Sequence, residues 1–190
     1  KTIKGNTKVC GIILAAGSGE RAGGGKLSKI IKDKPMLQCV VEIAVQSNLD
    51  DIILITGYER KLGERIAAHF NIKSYFNPDY SLGMSTSLKI GVSKIASDIS
   101  AVLVILGDMP YIKKETLEAI VNLHGTNTDK IIIPTFCGKK GHTVLIPCKY
   151  KDEIYSISGD IGAREIIKKH IDEVIYFKTL DLGILQDLDY

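Results

Sequence analysis

Short apolar runs alternate with stretches of helical spacing along most of this chain. Val9 to Leu14 (VCGIIL) is continuous, apolar and rich in β-branched residues, as expected for a strand buried on both faces of a parallel sheet. From Pro35 to Ser47 the apolar residues fall at 36, 37, 40, 41, 44 and 45, a helical spacing, with Pro35 where a first turn accepts it. Asp51 to Thr56 predicts a second strand closed by Gly57. Arg60 to Phe70 predicts a helix with Leu62, Ile66, Ala67 and Phe70 on one face, and Ile72 to Phe76 a third, short strand. A helix then runs from the Gly83–Ser87 segment to about Ile95, and Ala101 to Leu106 (AVLVIL) is the most apolar strand of all. Thr116 to Leu123 is amphipathic, Lys130 to Pro134 is another strand, and Gly138 to Pro147 is a tight basic turn feeding an alternating strand. Glu173 to Phe177 is the last strand. Such alternation predicts an α/β sandwich over a mainly parallel sheet, with no boundary or repeat that would divide residues 1–190 into more than one domain.

The first strand runs into Leu14 to Lys26, LAAGSGERAGGGK. A glycine-dense turn at the carboxyl end of a parallel strand can aim several backbone N–H groups at one anion, above all a phosphate. Arg21 and Lys26 would add full positive charge to that cradle, Arg through bidentate contact and Lys as a mobile point charge. A Walker A loop is excluded, because Glu20 stands five residues before Gly25 in place of glycine and Leu27 follows Lys26 in place of Ser or Thr. A dinucleotide fingerprint fits Gly17, Gly19 and Ala22 by spacing, but it should open directly into a helix, and Gly23-Gly24-Gly25 makes a poor first turn at about 1 kcal/mol per glycine.

Further along, Asn77-Pro78 marks a turn, and Ser85 near a helix start serves either as a cap or as part of an anion site with Gly83 and Ser87. Gly107-Asp108-Met109-Pro110 places a carboxylate at the end of the most apolar strand, where open α/β sheets bind ligands and where Mg²⁺ accepts one or two carboxylates plus substrate phosphates. His142 lies in the basic turn. Asp160 reads as a helix cap, with Arg164 one turn later for it to pair with.

LAAGSGER with Arg21 and Lys26, the Lys34-Pro35-Met36-Leu37 stretch, NPDYSLGMSTSL, Gly107-Asp108-Met109-Pro110 and SGDIGAREII occur in one order from Val9 to Leu188. Together they resemble nucleotidyltransferases that join a nucleotide to a phosphorylated acceptor, and within them the molybdenum cofactor cytidylyltransferase family, the MobA-like NTP transferases. The resemblance implies a three-layer, Rossmann-like α/β/α fold with a mostly parallel sheet. It implies transfer of CMP from CTP to the terminal phosphate of molybdopterin, with release of pyrophosphate and with Mg²⁺ as cofactor. The nucleotide would be held by Leu14, Ala15, Ala16, Gly17, Ser18, Gly19, Arg21, Lys26, Gly83, Ser85 and Gly107. The acceptor would be held by Ser85, Ser87, His142, Asp160 and Arg164, and the metal by Asp108 and Asp181. Arg21, Lys26 and Asp108 would carry catalysis. Ala16, where guanylyl enzymes carry Gly, suits a pyrimidine, with UTP the runner-up to CTP. Three departures stand against the family pattern: Ala22 replaces Met, Thr143 replaces the proline after His142, and Gly183-Ile184-Leu185-Gln186 replaces an acidic residue followed by Thr-Pro-Glu. The alternatives left open are isoprenoid or sugar-phosphate nucleotidyltransferases, an NAD-dependent oxidoreductase, and a carrier that delivers the cofactor to an apo molybdenum hydroxylase.

Composition narrows little more. A net charge of +3 with scattered cations argues against nucleic acid, and no apolar run reaches the roughly 18 residues of a membrane span. The four cysteines include no C-x-x-C pair and two fall in apolar runs, so reduced, buried thiols and a cytoplasmic setting are expected. KTIKGNTK carries no apolar segment, and no signal peptide is expected.

Overall fold

The computed structural model describes residues 7–19 and 23–187. In chain order it contains β1 (Val9–Ala15), β2 (Ile30–Ile31), β3 (Lys34–Pro35), α1 (Met36–Gln46), β4 (Asp51–Thr56), α2 (Arg60–His69), β5 (Lys73–Phe76), α3 (Met84–Lys94) and β6 (Ala101–Leu106). There follow α4 (Lys114–His124), β7 (Ile131–Phe136), β8 (Lys139–Lys140), β9 (Val144–Pro147), α5 (Lys151–Ser156), α6 (Arg164–Lys169) and β10 (Val174–Lys178). Among the described residues one eight-stranded sheet runs in the order β10-β7-β9-β6-β1-β4-β5, with β8 paired to β7; β2 and β3 form a small separate ribbon. Strand β1 lies parallel between β4 and β6, and β5 and β10 extend the parallel pattern at the two edges.

Side chains of each central strand alternate between two cores. Val9, Ile13 and Ala15 of β1 face a core shared with Leu37, Val40 and Val41 of α1, Ile66 of α2 and Leu117 and Ile120 of α4. Cys10, Ile12 and Leu14 face the opposite core with Leu88 and Val92 of α3, Ile154 of α5 and Ile166 of α6. Helices therefore cover both faces, which is why these strands read as continuous apolar runs. The α/β sandwich predicted from the sequence is the fold observed.

Strand β9 departs from the sequence reading. It is buried at every position rather than alternating, and it is antiparallel to both neighbours, pairing Leu145 with Leu103 of β6 and with Ile132 of β7. Ahead of it, β7 and β8 are joined by a two-residue hairpin in which Cys137 and Gly138 both take positive φ, 48° and 78°, as a type I′ turn requires. Cys137 is thereby exposed, contrary to the expectation for all four thiols. Cys10 is buried as expected, and burial pushes its thiol up to about 12.

Candidate active site

Strand order reverses at β1: the chain proceeds outward through β4 and β5, then returns to place β6 on the other side. The carboxyl ends of β1 and β6 diverge there, and open α/β sheets bind ligands in such a crevice. A cleft of about 540 Å³ opens at that point, lined on one wall by Leu14 to Gly19 and on its floor by Lys26 and Asp108. The third wall comes from Tyr80 to Met84 and Ser87, before and within the first turn of α3.

Lys26 and Asp108 are 82 residues apart in sequence but form an ion pair, Nζ to Oδ2 at 2.8 Å. The lysine side chain is 8% exposed and the carboxylate 25%. Lys26 reaches this place by crossing Gly19, where a Cβ would stand 2.8 Å from that of Lys26; Gly19 also holds φ +64, so two constraints require glycine there. Gly83 is equally constrained, at φ +111 with its α-carbon against the backbone of Gly159.

A second cleft, of about 630 Å³, shares Met84, Leu106 and Asp160 with the first. Its cations are Lys140, Arg164 and Lys168, with His142 beside them, on apolar walls that include Ile133, Val144 and Ile167. Asp160 stands at the junction, and its Oδ1 accepts the Met84 N–H at 3.2 Å. It thus caps α3 from across the chain rather than its own helix. The expected pairing of Asp160 with Arg164 along one helix does not arise, because Gly162 at φ +56 interrupts the chain and α6 begins only at Arg164.

Most expected nucleotide residues line the first cleft: Leu14, Ala15, Ala16, Gly17, Ser18, Gly19, Lys26 and Gly83. Arg21 lies outside the described residues. Gly107 does not line it, since its N–H donates to Leu14 O and its α-carbon is enclosed by Leu14, Ala15 and Leu37. Nor does Ser85, whose hydroxyl is buried without a partner among the described residues. Ser87, expected on the acceptor side, lines the first cleft, and its Oγ accepts from Asn77 Nδ2 at 2.9 Å. His142, Asp160 and Arg164 line the second, with Lys140 and Lys168, which the sequence reading counted only among the scattered cations. Lys168 was findable: it falls four residues after Arg164, on the same helical face.

Asp181 is not brought to Asp108. It is 3% exposed, lines neither cleft, and accepts three hydrogen bonds: from Lys113 N at 2.8 Å, Thr116 Oγ1 at 2.7 Å and Gly183 N at 2.9 Å. The tail acts as a brace. Asp181 ties it to the start of α4, Gly183 sits on the Tyr111 backbone with no room for any side chain, and Ile184 O accepts the His142 N–H at 3.2 Å. Gly183 in place of an acid is therefore what this backbone demands. Thr143, which stands in place of proline, is fully buried, and its hydroxyl has no partner among the described residues, so it adds no bond to the site.

Among the described residues no three His, Cys, Asp or Glu side chains gather to hold a metal ion, and no helix is long and apolar enough to cross a membrane. The single carboxylate of Asp108 still suits Mg²⁺, which takes most of its ligands from substrate phosphates and water.

A crevice at the strand-order reversal, where a glycine loop brings a lysine onto a carboxylate beside a second basic chamber, suits a nucleotidyltransferase. The chain belongs to the family of the MobA-like NTP transferase domain, whose model matches residues 11–174. It is 33% identical over 140 residues to the molybdenum cofactor cytidylyltransferase of Escherichia coli (strain K12), across 72% of this chain and 70% of that protein. Among solved structures it resembles the manganese complex of Rv0371c from Mycobacterium tuberculosis H37Rv (20% identity, TM-score 0.77, 92% of each chain). It also resembles a CMP:2-keto-3-deoxy-manno-octonic acid synthetase complexed with CTP (13% identity, TM-score 0.74, 90% of each chain). These two likenesses concern the fold.

Proposed function

We propose that this protein transfers CMP from CTP to the terminal phosphate of molybdopterin and releases pyrophosphate. The observation that carries the reading is the pair of joined clefts: a glycine loop with Lys26 and Asp108 in one, and the Lys140, His142, Arg164 and Lys168 group in the other. Two anionic substrates can meet where the clefts join, at Met84, Leu106 and Asp160. The choice of CTP and molybdopterin is supported by the Escherichia coli relative.

The attacking group is a phosphate already ionised at neutral pH, so no general base is required. Catalysis then rests on positioning and on neutralising charge. The N–H groups of Gly17 to Gly19 and the side chain of Arg21 would hold the triphosphate. Lys26, released from Asp108, would neutralise the departing pyrophosphate. Arg164 and Lys168 would hold the acceptor phosphate against the junction. Asp108 would hold Mg²⁺, whose charge, when bound, polarises the donor phosphate.

Pyrophosphate release should be measured with CTP, UTP, GTP and ATP in turn, with and without molybdopterin and Mg²⁺. Release confined to CTP with molybdopterin is expected. Release with a sugar phosphate or an isoprenoid phosphate instead would overturn the acceptor assignment, and tight molybdopterin binding without any release would make the protein a carrier.

A further inference from the structure

The turn that delivers Lys26 has no cap of its own. Lys26–Ser28 is a single 3₁₀ turn, preceded by Gly25 at φ 65°, which offers no side chain. The first N–H groups of such a turn have no partner inside it. One carboxylate from elsewhere takes two of them: Leu27 N donates to Glu59 Oε2 at 2.8 Å, and Ser28 N donates to Glu59 Oε1 at 3.1 Å. Glu59 stands just before α2, in a segment itself fastened to the glycine loop. Tyr58 N donates to Ala16 O at 3.0 Å, and Gly57 packs against the Ala16 backbone with no room for a side chain. The Tyr58 hydroxyl lies 3.3 Å from where a Gly24 side chain would begin.

We propose that Glu59 is a positioning residue, the anchor that holds the Lys26 turn in register with Asp108. It does not line either cleft and would touch no substrate. Its effect passes through Lys26, so the proposal rests on the catalytic reading of that lysine. Three glycines precede the turn and restrain its backbone little; the local bonds are Gly24 N to Gly19 O at 3.0 Å and Ser28 Oγ to Gly25 O at 2.8 Å, and neither engages the first N–H groups of the turn. The two charge-assisted bonds to Glu59 supply that restraint from a rigid element. Loss of the anchor should therefore lower kcat more than it raises the KM for CTP, because Lys26 neutralises charge that develops as pyrophosphate leaves.

Two measurements test this: pyrophosphate release in Glu59→Gln, Lys26→Ala and the double variant, and amide hydrogen exchange at Leu27 and Ser28 in the substrate-free protein. Glu59→Gln keeps the side chain's size and one acceptor oxygen, so the fold should be retained, as the protected β1 amides will check. Its kcat should fall about tenfold with the KM for CTP within about twofold, while exchange at Leu27 and Ser28 quickens and the β1 amides stay protected. In the Lys26→Ala background the same change should lower kcat by less than about twofold further, since losses that act through one group do not multiply. Glu64→Ala, which removes an exposed carboxylate from α2 itself, should leave both readouts as they were. Unchanged exchange in Glu59→Gln, or a kcat loss that multiplies with that of Lys26→Ala, overturns the proposal. Normal turnover in Lys26→Ala with rapid exchange in Glu59→Gln overturns the reading of Lys26 and leaves the anchor standing.

Discussion

Two aspartates at the ends of sheet-to-helix connections look alike in sequence and have opposite surroundings. Asp108, after β6, is partly open to a cleft and among the described residues meets one partner, the ammonium of Lys26. Asp181, after β10, is sealed from solvent and meets three donors, two of them backbone N–H groups and the third a hydroxyl. A carboxylate with one displaceable partner has coordination capacity left for a substrate or an ion. One whose oxygens are already shared among three fixed donors is part of the scaffold. The number and mobility of the partners, more than the residue type or its place after a strand, separate the two roles.

The comparison breaks first at Asp108. Asp108→Asn should lower turnover by about 10² or more, the scale set by loss of one stabilising group in a reacting site, and shift the unfolding free energy by only about 1–2 kcal/mol, since the Asn carbonyl can still accept from the nearly buried Lys26 ammonium. Pyrophosphate release and urea denaturation measure the two effects. Asp181→Ala should do the reverse: three buried donors lose their acceptor, stability should fall by about 3 kcal/mol, and turnover per folded molecule should stay within about twofold. A folded Asp181 variant without activity would restore that residue as a metal ligand.

A smaller effect is expected in the second cleft. Arg164→Ala should raise the KM for molybdopterin by about tenfold and leave the KM for CTP unchanged, since its contact is with the acceptor phosphate alone. Equal changes in both constants would mean that the two clefts do not divide the substrates.

The smallest expected effect concerns a buried group with an incomplete set of partners. His124 is fully buried, and its Nε2 lies 2.9 Å from Ser100 Oγ, whose own proton goes to Lys8 O. The ring therefore donates from Nε2, and Nδ1 has no partner among the described residues. Burial lowers its pKa below the ordinary 6.5, so the unfolded chain takes up a proton that the folded one resists. Stability is thus fully present above about pH 6.5 and declines as pH falls below it. Urea midpoints at pH 7.5 and 5.5 measure it, and His124→Gln should flatten that slope.

The parallel half of the fold was legible because strands covered on both faces must be apolar throughout, and β1, β4 and β6 carry that pattern unbroken. Asp108 and Lys26 were legible for a similar reason: each sits where an apolar run or a glycine run ends. The direction of β9 was not, since VLIP reads the same whether it pairs parallel or antiparallel, and its insertion between β6 and β7 depends on contacts far along the chain. Ser85 and Ser87 differ by two positions on one helix, and only the packing of α3 decides which hydroxyl sees the cleft. Glu59 carries no motif at all. Its role appears only when the turn it anchors lies beside it.

The insertion of β9 also divides the sheet in two. Strands β1, β4, β5 and β6 are joined to one another without it, whereas β7 and β10 reach the sheet only through β9. The second cleft is built mainly on the half beyond that seam, and the first almost wholly on the other. A change that loosens the seam would therefore disturb the second cleft and leave the first standing.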